Sequence, residues 1–170
     1  MSKTGPVSIY WMRRDLRLTD NAALHHALLG PHPVLPVFIF DWNILNKLED
    51  REDARVQFLH QELLAIKQSL RKQGSDIDIR YGTPEKVWKD LLKDYTIAAV
   101  YTNCDYAPYA RSRDAEIGAM LQAADLELKS FKDQVIFEKD EIVKDDGSPY
   151  VVYTPYSKKW LAAFTEAHLS

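Results

Sequence analysis

Short apolar runs alternate along this chain with longer segments of helical period, and that alternation leaves few folds open. Val7–Met12, Val34–Phe40, Ile77–Tyr81, Ile97–Thr102 and Leu126–Phe131 are rich in β-branched and aromatic residues and almost continuous in apolar character. Strands covered on both faces have this composition. Between them, Asn21–Leu29 reads as a helix capped by Thr19 or Asp20, and Arg51–Lys72 as a long amphipathic helix closed by Gly74. Thr83-Pro84-Glu85 supplies an N-cap, a proline at the first helical position and an acid in the first turn, which predicts a helix over Pro84–Lys93. Ala107–Ala124 is the fourth. Right-handed crossovers in such a βα repeat give a doubly wound, Rossmann-like α/β fold: about five parallel strands with helices on both faces.

The pattern stops after Phe131. Asp145-Asp146-Gly147 is a turn signal, Tyr150–Tyr153 is expected to be extended, and Pro155 to end it. Ser157–Leu169 has helical period, with Trp160, Leu161, Ala163, Phe164 and Ala167 as its apolar stripe. Two domains follow: an α/β domain over 1–131, and over 132–170 an interdomain linker that starts a further, helical domain. The stripe either folds back on the sheet or awaits protein beyond this chain.

Composition narrows the function. No run approaches the roughly 18 apolar residues of a membrane span, and the N-terminus lacks the apolar core of a secretory signal, so a cytoplasmic location is expected. A net charge of −3 gives no electrostatic footprint for nucleic acid over the chain as a whole. One cysteine, Cys104, rules out an intramolecular disulfide. The six glycines form neither G-x-G-x-x-G nor a P-loop, there is no G-x-S-x-G elbow, and the five histidines show no ligand spacing. No catalytic group and no metal site is expected.

In open α/β sheets, ligands bind beyond the carboxyl ends of the strands. The three most polar or aromatic junctions lie there: Met12-Arg13-Arg14-Asp15-Leu16-Arg17, Asp41-Trp42-Asn43, and Asn103-Cys104-Asp105-Tyr106.

Trp11-Met12-Arg13-Arg14-Asp15-Leu16-Arg17-Leu18-Thr19-Asp20-Asn21-Ala22-Ala23-Leu24 resembles the N-terminal signature of the DNA photolyase and cryptochrome family, W-F-R-R-D-L-R-L-x-D-N-x-A-L. Ala54-Arg55-Val56 with Phe58-Leu59, Tyr106-Ala107-Pro108-Tyr109-Ala110-Arg111-Ser112-Arg113-Asp114 and Tyr150-Val151-Val152-Tyr153-Thr154-Pro155-Tyr156 agree with it. The resemblance covers essentially the whole chain. It implies the N-terminal, antenna-binding domain of a deoxyribodipyrimidine photolyase, a blue-light flavoprotein that splits pyrimidine dimers in DNA. The catalytic FAD and the damaged DNA would belong to a C-terminal domain of the same polypeptide, so this chain alone should be inactive. A monomer with no membrane partner is expected. The same domain of a cryptochrome photoreceptor, or a stand-alone nucleotide-binding module, are the alternatives.

An antenna pigment needs apolar walls and a few fixed polar anchors. Met12, Arg13, Phe38, Ile39, Phe40, Asp41, Arg55, Asn103, Asp105 and Tyr106 are the candidate cofactor-binding residues. Arg14, Asp15, Arg17 and Asp20 are assigned to holding the first loop, and all four tryptophans to core or linker. Folate-binding relatives share the Asn-x-x-Tyr frame but carry an acid where this chain has Ala110. The resemblance therefore ranks 8-hydroxy-5-deazaflavin, FMN or FAD above methenyltetrahydrofolate.

Overall fold

The structure is a computed structural model that describes residues 5–50 and 53–168 of the 170. The elements run β1 (Val7–Met12), α1 (Ala22–Leu28), β2 (Val34–Asp41), α2 (Trp42–Leu45), α3 (Ala54–Lys72), β3 (Asp78–Gly82), α4 (Pro84–Asp94), β4 (Ile97–Asn103), α5 (Pro108–Gln122), β5 (Leu128–Phe131) and α6 (Tyr153–Ala163). The strands form one parallel sheet in the order β3-β2-β1-β4-β5. Strand order therefore reverses at β1, with its two neighbours reached by crossovers in opposite directions, which is the doubly wound topology.

Successive strand residues point to opposite faces, and the two faces carry separate cores. Tyr10 and Met12 of β1 join Phe38, Ala23, Leu24, Ala27, Leu63, Ile66 and Leu70 under α1 and α3. Ile9 and Trp11 join Val37, Ile39, Val87, Trp88, Leu91, Ile117 and Leu121 under α4 and α5. Trp11 meets Trp88 edge to face, with ring centroids 5.3 Å apart.

The ends of the elements follow local chemistry. Asn21, rather than Thr19 or Asp20, caps α1: its Oδ1 accepts from the Leu24 N–H at 3.0 Å. Asp20 has φ 50°, a left-handed conformation unsuited to an N-cap. The expected start of α3 at Arg51 lies outside the described residues; the helix begins at Ala54, capped by Asp53. α2 is a single turn that strand and helix periodicity over so few residues does not reveal.

Gly74 ends α3 with φ +77°, and nothing lies within 4 Å of where a Cβ would stand. A Gly74→Ala replacement therefore meets no clash but must hold a left-handed backbone. It should cost about 1 kcal/mol, read as a lower urea midpoint at unchanged slope.

The chain separates into two compact units, 1–131 and 132–170. In the second, α6 starts at Tyr153, four residues before the expected Ser157, and takes Pro155 into its first turn. Proline is tolerated there because the first-turn N–H groups have no partner inside the helix. Trp160 packs edge-on against Phe137 at 5.4 Å and stacks on Phe164 at 5.2 Å, so part of the apolar stripe is satisfied within the unit. Val151, Val152, Tyr153 and Leu161 remain exposed. Leu169, the expected last helical residue, lies outside the described residues. Among the described residues, no helix is long and apolar enough to cross a membrane.

Candidate functional site

The loop after β1 folds around one carboxylate. Asp15 is 6% exposed. Its Oδ1 accepts from the Arg13 backbone N–H at 2.8 Å, and its Oδ2 accepts from the Tyr10 hydroxyl at 2.9 Å and from Asn103 Nδ2 at 2.5 Å. Asn21 Nδ2 donates to the Tyr10 hydroxyl at 2.6 Å, and Asn103 Oδ1 accepts from the Ala23 N–H at 2.8 Å. This network joins β1, β4 and α1. Burial on its own pushes the Asp15 carboxyl up, but the hydrogen bonds from Arg13, Asn103 and Tyr10 outweigh it and hold the carboxyl below its ordinary value. Arg17 donates to the Asp20 carbonyl at 2.8 Å and closes the loop locally. Asp15, Arg17 and Asp20 thus hold the loop, as expected; Arg14, expected to do the same, reaches instead to Asp105, 91 residues on.

Beside this sealed network, over the carboxyl ends of β1 and β2, lies a cavity of about 400 Å³. Its floor is Trp11, Phe38, Ile39 and Phe40; Ile44, Leu45 and Leu48 close one side from α2 onward. Val56 and Leu59 of α3, Pro84 of α4 and Ala110 of α5 add apolar wall. Arg13, Arg14, Asp41, Arg55, Asp105, Tyr109 and Arg113 supply its polar groups. Apolar walls with convergent polar groups at strand ends, in a volume of this size, are the usual form of a small-molecule site.

Arg13 and Arg113 are held firmly, each with its side chain 9% exposed and each paired with Asp114, at 2.5 Å and 2.9 Å. Arg13 also donates to the Asn103 carbonyl. The Tyr109 hydroxyl donates to Asp41 Oδ2 at 2.5 Å and accepts from Asn43 Nδ2 at 3.1 Å. Burial and the bond to Asp41 push the Tyr109 hydroxyl up to about 12. At the rim the charges are wetter. Arg14 is 3.5 Å from Asp105 and 64% exposed; Arg55 is 76% exposed and folds back on Asp53 at 2.5 Å. The Arg55 bonds draw Asp53 down to about 2.

Of the ten candidate residues, Arg13, Phe38, Ile39, Phe40, Asp41, Arg55 and Asp105 line this cavity, and Met12, Asn103 and Tyr106 do not. Met12 is fully buried in the core beneath α1 and α3 and does not reach the cavity. The Asn103 side chain is committed at both ends to Ala23, Asn21 and Asp15. Tyr106 sits between two lining residues, Asp105 and Ala107, in the loop that joins β4 to α5.

Trp11 is a core residue, at 2% exposed, and also cavity floor. Sequence alone did not single out Tyr109 and Arg113, which share one face of α5 with Ala110, or Val56 and Leu59, which share a face of α3. Their i, i+3 and i, i+4 spacing was the available signal. The wall from α2 had none, since the turn itself was unforeseen.

Residues 8–169 match the family model for DNA photolyase. A deoxyribodipyrimidine photo-lyase of Synechococcus is 34% identical over 154 residues, covering 91% of this chain and 32% of that protein. The crystal structure of a bacterial class III photolyase from Agrobacterium tumefaciens superposes with a TM-score of 0.82 at 33% identity, over 98% of this chain and 33% of that one. An archaeal photolyase from Sulfolobus tokodaii, described with two FAD molecules and a novel light-harvesting cofactor, gives 0.72 at 34% identity over 81% of this chain and 32% of that one. The chain thus spans about a third of the length of these relatives. With its doubly wound sheet and the loop network built on Trp11–Leu24, the chain belongs to the DNA photolyase family.

Proposed function

We propose that this chain is the light-harvesting domain of a deoxyribodipyrimidine photolyase, and that the cavity over β1 and β2 holds its antenna pigment. The observation that carries this reading is the cavity itself: about 400 Å³, floored by Trp11, Phe38, Ile39 and Phe40, with Arg13, Asp41 and Asp105 among the polar groups that line it. Apolar walls suit a flat conjugated ring, and the polar groups among them suit its heteroatoms. When bound, the pigment supplies absorption of light and passage of that energy onward. This chain's residues orient the ring, exclude water from its faces and keep it rigid, because energy transfer depends on the direction of the transition dipole.

Ala110 favours a deazaflavin or flavin pigment over methenyltetrahydrofolate. It is 3% exposed and forms cavity wall, so the position leaves room for a broad ring and offers no carboxylate to a pterin. The FAD of the Sulfolobus relative points the same way. Dimer splitting, the catalytic FAD and the contact with damaged DNA are assigned to a C-terminal domain of the same polypeptide. In this reading the protein is monomeric and cytoplasmic.

Fluorescence titration of the purified chain tests this. FMN or 8-hydroxy-5-deazaflavin should bind at least about tenfold more tightly than methenyltetrahydrofolate, a difference of about 1.4 kcal/mol. Illuminated with dimer-containing DNA and added reduced FAD, the chain alone should repair nothing. Tighter folate binding would reverse the ranking; repair by this chain would refute the division of labour.

A further inference from the structure

Among the described residues lining the cavity, Trp11 and Tyr109 carry the side chains that give up an electron most readily; the other rings in its wall, Phe38 and Phe40, are inert in this respect. Each of the two lies under positive charge. The Arg13 and Arg113 guanidinium carbons stand 5.2 Å and 5.0 Å from the centroid of the Trp11 ring. Arg113 also stands 5.9 Å from the Tyr109 ring, and the Lys47 ammonium 5.6 Å from it. Cation–π pairs occur roughly once per 70–80 residues, so their convergence on these two rings in one cavity calls for a reason.

Packing does not require it. Arg13 and Arg113 share a single carboxylate, Asp114, so two largely buried cations face one partly exposed anion. At 9% exposure water screens that excess poorly.

The rings have a chemical liability that the cations oppose. An optically excited flavin or deazaflavin is a strong one-electron oxidant, and a neighbouring indole quenches it. One electron leaves Trp11, the indole becomes a radical cation, and the excited pigment is the group reduced. From Tyr109 the electron leaves as the hydroxyl proton passes to Asp41, 2.5 Å away. Either event removes one negative charge from a site already beside guanidinium, and like-charge proximity in a dry pocket makes it unfavourable.

We propose that Arg113, with Arg13, protects the excited antenna pigment: positive charge held over Trp11 and Tyr109 keeps both rings from donating an electron, so the absorbed energy leaves as transfer and is not lost in the wall. The proposal rests on the pigment-binding reading above. It makes Arg113 a positioning residue for the light-harvesting step, acting through its neighbours.

The test is the emission lifetime of FMN bound at saturation to the full 170-residue chain. Arg113→Gln should shorten the bound lifetime at least about fivefold, the scale of one charge 5.0 Å away even under water-like screening. Adding Trp11→Phe and Tyr109→Phe to Arg113→Gln should restore it. Lys47→Gln, at an exposed residue outside the cavity lining whose ammonium stands over Tyr109, should also shorten the lifetime, and this variant serves even if Arg113→Gln fails to fold. An unchanged lifetime in folded, FMN-loaded Arg113→Gln or Lys47→Gln overturns the proposal, as does a shortened lifetime that the Trp11→Phe and Tyr109→Phe changes do not restore. FMN that binds without these responses defeats this inference and spares the pigment reading; FMN that does not bind at all defeats both.

Discussion

Asp15→Ala is expected to destabilise the sheet unit by about 3–5 kcal/mol, enough to leave a marginal domain largely unfolded at ambient temperature. The carboxylate is the common acceptor for the Arg13 N–H, the Tyr10 hydroxyl and the Asn103 amide. Removing it takes away their shared buried acceptor and leaves the Asn103 amide only its longer bond to Asn21, and each buried unmet donor costs about 1–3 kcal/mol. Asp15→Asn keeps the shape but turns an amide N–H₂ toward donors, so it should recover only part of the loss. Urea unfolding followed by circular dichroism measures both. The pH dependence has a definite sign. The folded Asp15 carboxyl lies below its ordinary 3.8, so its contribution is fully present above that value and disappears as the pH falls through the lower, folded one. The gap between wild type and Asp15→Asn should therefore be constant from neutrality down to about pH 4 and shrink in stronger acid. A gap that widened in acid would mean that the carboxyl is held protonated, against the geometry.

Ala110→Glu should abolish pigment binding, with an FMN affinity loss of at least about a hundredfold, or roughly 2.7 kcal/mol. Ala110 stands in the first turn of α5, 3% exposed, with its methyl group in the cavity wall. A glutamate there fills space meant for the ring and sets a second carboxylate near Asp41 and beside Arg113, which it can pair with and draw away. Thermal unfolding separates this from misfolding, since the side chain has the cavity to enter. An FMN affinity within threefold of wild type in a folded variant would place the pigment outside this cavity. A rise in folate affinity in the same variant would support the idea that this position selects the pigment class.

The order of the elements was legible because each signal is local. Val7–Met12 could be read as a strand, and Thr83-Pro84 as a helix start, without knowing what packs on them. Parallel pairing and a sheet covered on both sides then follow from chain handedness. Apart from Arg55 on α3, the candidate site was legible where it coincides with strand ends. Arg13, Phe38–Asp41 and Asp105 are there because the carboxyl edge is where such folds expose backbone and side chains. Asn103 shows the limit: its place at a strand end suggested an anchor for a ligand, but Asp15 and the Ala23 N–H, eighty or more residues away in sequence, consume its hydrogen bonds.

Sequence by itself determined the doubly wound sheet, the family and the loop that Asp15 organises, since all three depend on patterns within a few turns of chain. Tertiary structure decided which side chains face the cavity. The parity of β1 sends Met12 to one core and Trp11 to the other, and the docking of α5 across the strand ends brings Tyr109, Ala110 and Arg113 to the same space as Arg13, about a hundred residues earlier. Apposition of distant segments is a property of packing, set by how two helices and a strand share volume, and no local pattern encodes it.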